Sequence, residues 1–306
     1  MNPTDAGVKT YRAHPAAAGA QVLGEGPLWD AVRGRVLWVD VRAGHVFEGH
    51  FADGEVRTSR RHDFDSTVGA VAPAADGRLI VATDVGLVEL GTDGARRPVG
   101  ERLVPAGKHS RLNDGGCDPA GRFLVGSLAL DGRAGQEVLY RLEHDGSVTE
   151  LDTDLTLSNG LAWTADGTGF YSVDTIPGAV SYRSYDPDSG RVGRRMELLR
   201  IAGETPAAYP DGLCVDVDGN LWIAIWGAGE VRCYSPTGGH LATVTVAAPH
   251  TSSVAFVGPD LDTLLITTAS DELTTHQRAE FPDSGRLFTA TVGTRGLPTT
   301  PWRGST

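Results

Sequence analysis

Several residue types are scarce in this 306-residue sequence, and each shortage excludes something. There are only three cysteines, Cys117, Cys214 and Cys233. They form no Cys-x-x-Cys pair, so neither a zinc ribbon nor a disulfide framework is expected. Cys117 and Cys214 lie in apolar, strand-like contexts and read as small core residues. Basic runs such as Arg60-Arg61 and Arg194-Arg195 go no further than two residues, and the net charge is −12. That balance leaves no electrostatic footprint for nucleic acid. No window approaches 18 apolar residues, so no membrane span is expected. Residues 1–20 are Ala-rich and polar with no apolar leader core, and the chain reads as cytoplasmic. No window has the 3.6-residue periodicity of an amphipathic helix. A Gly-x-Ser-x-Gly elbow and a His-Glu-x-x-His pair are also missing, which removes the common serine-hydrolase and zinc-peptidase signatures.

What the chain has in excess is glycine: 40 residues, about 13% against a typical ~7%. Glycine accumulates where a chain must turn with positive φ. Many turns in a non-repetitive composition mean many short strands. The turns recur. Arg33-Gly34, Asp76-Gly77, Ala120-Gly121, Asp166-Gly167, Asp218-Gly219 and the degenerate Asp260-Leu261 each introduce an apolar β run, and they stand 42 to 52 residues apart. A period near 45 is the length of a four-stranded unit, and six such units fill the chain. The spacing therefore predicts an all-β, single-domain, six-bladed β-propeller of four-stranded antiparallel blades over residues 21–295. Residues 1–20 read as an N-terminal extension and 296–306 as a C-terminal tail. The ring is expected to close by pairing Gln21-Val22-Leu23 with the last run, Gly285–Val292.

Four polar segments interrupt the apolar pattern where strands begin: Gly24-Glu25-Gly26-Pro27, Arg111-Leu112-Asn113-Asp114-Gly115, Ser158-Asn159-Gly160-Leu161 and Pro210-Asp211-Gly212-Leu213. Taken singly, Asn-Gly and Asp-Gly are turn dipeptides. Their common blade register changes the reading, because equivalent positions in a propeller converge on one end of its axis. Carboxylates and amides gathered there would repel and desolvate without a cation. An all-oxygen donor set suits a hard ion. His109 and His250 could reach the same mouth, and Trp226 and Tyr209 could line it, although structural roles are the commoner fate of such residues.

In their order and spacing, these four motifs resemble the SMP-30/gluconolactonase/luciferin-regenerating-enzyme family over about residues 20–270. The resemblance implies a six-bladed propeller with divalent-cation-dependent lactonase activity. It implies Glu25, Asn159 and Asp211 as metal ligands, and Arg111 and Asn113 as residues facing the substrate. Members acting on sugar lactones can contact the substrate through a Glu on a blade-three loop; here that loop reads Ser127–Asp131, with Asp131 as the candidate. Asp211 is the candidate general base. The implied cofactor is one divalent cation, with Ca²⁺ favoured over Zn²⁺, Mn²⁺, Mg²⁺ or Fe²⁺, and the implied partner is a small-molecule lactone. Diversion of the site to another ester, a phosphoester or a biosynthetic step stays open, as does a non-catalytic calcium-binding propeller.

Overall fold

The computed structural model describes residues 7–202 and 208–304; residues 1–6 and 305–306, the ends of the expected extension and tail, lie outside the described residues. It is a six-bladed propeller. The innermost strands are Gly24–Asp30, Ala70–Pro73, Ser110–Cys117, Ser158–Trp163, Tyr209–Val215 and Thr251–Val257, each packed on the next around a closed ring. Each is followed by antiparallel strands stepping outward.

All six turn-and-β repeats seen in the sequence are the turn and second strand of a blade: Arg35–Asp40, Leu79–Ala82, Phe123–Ala129, Gly169–Asp174, Leu221–Trp226 and Thr263–Thr268. They are continuous apolar runs because neighbouring blades cover both faces. Val36, Leu37, Trp38 and Val39 are all buried, as are Phe123, Leu124 and Val125. Outer strands such as Glu55–Asp63 are largely exposed and polar. In blades one to five the turn before the second strand is built around an aspartate that accepts backbone N–H groups. In blade three, Asp118 Oδ1 accepts the amide N–H of Ala120 and of Arg122, both at 2.9 Å, while Gly121 takes φ 84°. Asp118 Oδ2 accepts Arg122 Nε at 2.5 Å and, across to blade four, the Tyr185 hydroxyl at 2.6 Å.

Ring closure differs from the sequence expectation. The strand that pairs with Phe288–Thr291 is His14–Pro15, about seven residues earlier than Gln21-Val22-Leu23. Gln21 still donates its N–H to Gly285 O at 2.7 Å, and Leu23 bridges Ala269. Just ahead, Lys9–Arg12 adds a parallel fifth strand to blade five on His240–Thr245. The buried methyls of Ala13 and Ala16 seat this strap, and Pro15 is tolerated because an outermost strand needs no second row of donors. One short exposed helix, Thr275–Glu280, lies between two strands of blade six, capped reciprocally by Thr274 and Gln277. Six residues are too few to show helical periodicity in sequence. The C-terminal stretch crosses the propeller end to which the first strands run, bridging Asp216 through Gly296 and Ala74 through Trp302.

Asp118→Ala would leave the buried Arg122 guanidinium without its carboxylate and remove two turn acceptors. We expect a loss of about 3–5 kcal/mol, measured by denaturant unfolding monitored through tryptophan fluorescence. A loss below ~1 kcal/mol would contradict the role given to this aspartate.

Candidate metal and substrate site

Glu25, Arg111, Asn113, Asn159 and Asp211 all lie on innermost strands, and all are buried. What aims them is a repeated backbone irregularity. Pairing of the first and second strands slips between Glu25 and Leu28, Leu112 and Gly115, Asn159 and Leu161, and Pro210 and Leu213. A bulge places extra residues opposite the partner strand and turns a side chain off the sheet face. Each of the four polar motifs sits on one. Blade two, with inner strand Ala70–Pro73, has neither a bulge nor a polar motif.

The motif glycines serve close approach between blades. A Cβ on Gly160 would stand 2.6 Å from Asp211 O, with φ already positive at 31°. A Cβ on Gly212 would stand 2.0 Å from Ser253 Oγ, and one on Gly69 2.3 Å from Asn113 O. Gly160 thus lets blade four touch the backbone of Asp211, Gly212 lets blade five touch Ser253 of blade six, and Gly69, outside the motifs, lets blade two touch the backbone of Asn113.

A directed hydrogen-bond chain crosses three blades. Arg111 Nη1 donates to Asn113 Oδ1 at 2.8 Å. Asn113 Nδ2 donates to Asn159 Oδ1 and to Ser158 O, both at 3.0 Å. Asn159 Nδ2 donates to Thr175 Oγ1 at 3.0 Å, and that hydroxyl donates to Pro210 O at 2.8 Å. The chain fixes both amide orientations and leaves Asn159 Oδ1 with a spare lone pair. Thr175 carries no motif in the sequence, so its orienting role is visible only here. Of the five site residues named above, two have buried polar atoms without a hydrogen-bond partner among the described residues: Asp211 Oδ1 and Arg111 Nε. An orphan acceptor and an orphan donor in one pocket call for a polar or ionic ligand.

The electrostatics agree. Burial, then the Asp114 charge, pushes Glu25 up to about 8. Burial, then Glu25 and Asp114, raises Asp211 well above the carboxylate range. Burial lifts Asp114 itself to about 6. Arg111 falls to about 10, through burial and then the charge of Arg42, which is paired with Asp271 at 2.8 Å. Asp114, beside Asn113 in the blade-three motif, is the third acid of this cluster, a role its sequence position alone does not show. Among the described residues no group of three or more His, Cys, Asp or Glu side chains gathers at metal-binding range. The Glu25–Asn159–Asp211 set has two carboxylates and a neutral amide, and this oxygen-only set with one orphan oxygen fits a hard divalent cation.

Other candidates sit apart. Asp131 is 42% exposed and paired with Arg133 at 2.5 Å; it is not hydrogen-bonded to the buried cluster. His109 is exposed. His250 stacks on Trp226 at 4.2 Å and bonds the Asp271 carbonyl through Nδ1 at 3.0 Å, and Tyr209 is half-buried where blade five begins. A cavity of about 350 Å³ lies at the opposite end, lined by Cys117, Trp163, Cys214 and Leu297 and by none of the site residues.

Two outcomes follow. Gly160→Ala should cost more than about 1 kcal/mol, since its φ is unsuited to a Cβ, and should also weaken cation binding by displacing Asp211; unchanged affinity by titration calorimetry would refute the close-approach argument. The second concerns pH. With Glu25 raised from its ordinary 4.5 to about 8, the cation-free fold binds more protons than its unfolded chain between those values. It therefore loses stability as pH rises through that window. A bound divalent cation removes the penalty by displacing protons. The Tm increment from saturating calcium should grow from pH 5 to pH 8, and calorimetry in buffers of different ionisation heat should show proton release near pH 7. A pH-independent increment would count against this.

Residues 23–270 match the SMP-30/Gluconolactonase/LRE-like region. The pentonolactonase XacC of Haloferax volcanii is 36% identical over 250 residues, covering 82% of each chain. Regucalcin of Gallus gallus is 31% identical, covering 92% of this chain and 95% of that one. The crystal structure of a calcium-binding protein, regucalcin, from Agrobacterium tumefaciens superposes with a TM-score of 0.90 at 28% identity, covering 97% and 99% of the two chains. With its propeller closed around four ordered polar motifs, the chain belongs to the SMP-30/gluconolactonase/LRE-like family.

Proposed function

We propose that this protein is a divalent-cation-dependent lactonase that opens the ring of a sugar-type lactone, an aldonolactone of the gluconolactone or xylonolactone kind. The observation that carries the reading is the pairing of two orphan groups in one buried pocket, the acceptor Asp211 Oδ1 and the donor Arg111 Nε. A cation-storage site needs the acceptor but has no use for a buried guanidinium beside it. A site that binds an ester and turns its carbonyl oxygen negative needs both. The names of relatives, pentonolactonase among them, point the same way.

On this reading Glu25, Asn159 and Asp211 hold the cation, with Ca²⁺ favoured on the all-oxygen donor set. When bound, it supplies Lewis acidity toward the ester carbonyl and lowers the pKa of water. The protein's own groups do the rest. Asp211, raised in pKa by burial, holds the cation through one carboxylate oxygen and accepts a proton from the attacking water through the other. Arg111 Nε donates to the oxygen on which negative charge develops. Asn113 is locked by Arg111 on one side and Asn159 on the other, and it orients the substrate. The chain Arg111–Asn113–Asn159–Thr175 holds these groups in fixed mutual orientation.

A pH-indicator assay of acid release tests this. Cation-stripped protein is reloaded separately with Ca²⁺, Zn²⁺, Mn²⁺, Mg²⁺ or Fe²⁺ and offered a panel of aldonolactones. Turnover of at least one lactone, abolished by chelation and by Asp211→Ala together with cation binding, is the expected result. Full activity of Asp211→Ala, or no turnover with any pair, would refute the proposal.

A further inference from the structure

Three backbone carbonyls around the site are held by a side chain of the preceding blade, and all three occupy the same place relative to a site residue. Asn113 of blade three donates to Ser158 O, just ahead of Asn159. Thr175 of blade four donates to Pro210 O, just ahead of Asp211. Ser252, on the innermost strand of blade six, donates to Gly24 O at 2.5 Å, just ahead of Glu25. Blade one follows blade six around the closed ring. Each residue read as a cation ligand therefore has the carbonyl before it tied across a blade boundary.

Ser252 has no part in the mechanism above. It is fully buried, as is Thr267, whose hydroxyl oxygen lies 3.0 Å from its own. A carbonyl oxygen can only accept, so the single Ser252 proton belongs to Gly24 O, and Thr267 supplies the hydrogen between the two hydroxyls. Strand pairing in blade six slips between Thr251 and Ser253. Ser252 thus stands at a bulge, as Asn159 and Asp211 do in blades four and five. There the bulge presents a site side chain; in blade six it turns a hydroxyl onto the neighbouring backbone. Gly24 permits the approach, because a Cβ on it would stand 2.9 Å from Thr268 O of blade six.

We propose that Ser252 is a positioning residue for the cation site, holding the Gly24–Glu25 backbone where the Glu25 carboxylate meets the cation, as Thr175 does for Asp211. The inference rests on the reading of Glu25 as a ligand. A carboxylate on untethered backbone has to be ordered when the cation binds, and that entropy is lost from the affinity. With alanine in place of Ser252, Gly24 O loses its donor and the tie is gone.

The test is titration calorimetry of the cation-stripped full chain with Ca²⁺, or with whichever cation of the panel the wild type binds more tightly, at a temperature where every variant is folded. Thr267→Val is the control. Both variants remove a buried hydroxyl at the same spot, so both should lower the Tm. Ser252→Ala should weaken cation binding about tenfold, the scale of one buried hydrogen bond. Thr267→Val should hold it within about twofold, because Ser252 still reaches Gly24 O. Equal weakening in the two variants, or unchanged affinity in Ser252→Ala, would overturn the proposal. If Ser252→Ala does not fold, Ser252→Cys puts a weak donor in the same place and should weaken binding in the same direction; unchanged affinity there overturns the proposal too. If the wild type binds no cation of the panel, the ligand reading fails, and amide hydrogen exchange over residues 23–28 decides the tie. Faster exchange in Ser252→Ala, or in Ser252→Cys where that variant replaces it, than in Thr267→Val supports it, and equal exchange overturns it.

Discussion

Two carboxylates held in a dry pocket at one end of a propeller axis are the constraint on which the rest of this structure turns. Burial raises the cost of ionising both, the Glu25 charge adds to it at Asp211, and Asp114 adds to it at both. Left alone, such a site would protonate or open to water. The fold does not open, because each member is fixed by backbone it cannot leave, and the cost shows instead as the raised proton affinity of Glu25 and Asp211. Glu25 and Asp211 stand at bulges on innermost strands. Asn159 is tied at both ends of its amide, and the glycines beside Asn159 and Asp211 admit the next blade to contact distance.

Closure matters for that reason. An open sheet could relax by spreading its strands, whereas six blades packed in a circle cannot move one inner strand without moving its neighbours. The strap formed by Lys9–Arg12 and His14–Pro15 ties blades five and six to one segment. Blade five carries Asp211, and blade six stands between it and the blade that carries Glu25. The tail across the other end leaves the two channel mouths chemically unlike: one polar and charged, the other lined by thiols, an indole and Leu297.

The parts legible in the sequence were those with a repeated physical cause. Second strands are covered on both faces, so they read as uninterrupted apolar runs after an Asp- or Gly-containing turn, and their 45-residue rhythm gave the blade number. Glu25, Asn113, Asn159 and Asp211 stood out because they broke that rhythm in register. What stayed hidden had no repeat to expose it. His14–Pro15 is two residues long, and Lys9–Arg12 pairs in parallel with a strand more than 200 residues away. Thr175 is one threonine after an ordinary aspartate. Glu137 carries no motif that marks it, yet in the fold it is fully buried and paired with Arg133. The glycines were visible, but their purpose was not: a turn and a close inter-blade approach demand the same residue, and sequence cannot separate them.

The choice of an amide at the third ligand position now has a physical reason on the proposed reading. Three carboxylates around a divalent cation would leave a net negative site, hostile to a carbonyl oxygen gaining negative charge. With Asn159 in that place, Glu25 and Asp211 cancel the cation's charge and the amide adds none. Asp114 is turned to the Gly115 N–H at 2.8 Å. Arg111 is then the group whose charge decides the sign of the field felt by a substrate. It is buried, with one nitrogen held by the Leu112 carbonyl and by Asn113, and with Nε unspent. The same hydrogen-bond chain that orients Asn159 for a cation thus orients Arg111 for an anion, so any change that loosens one end should be felt at the other.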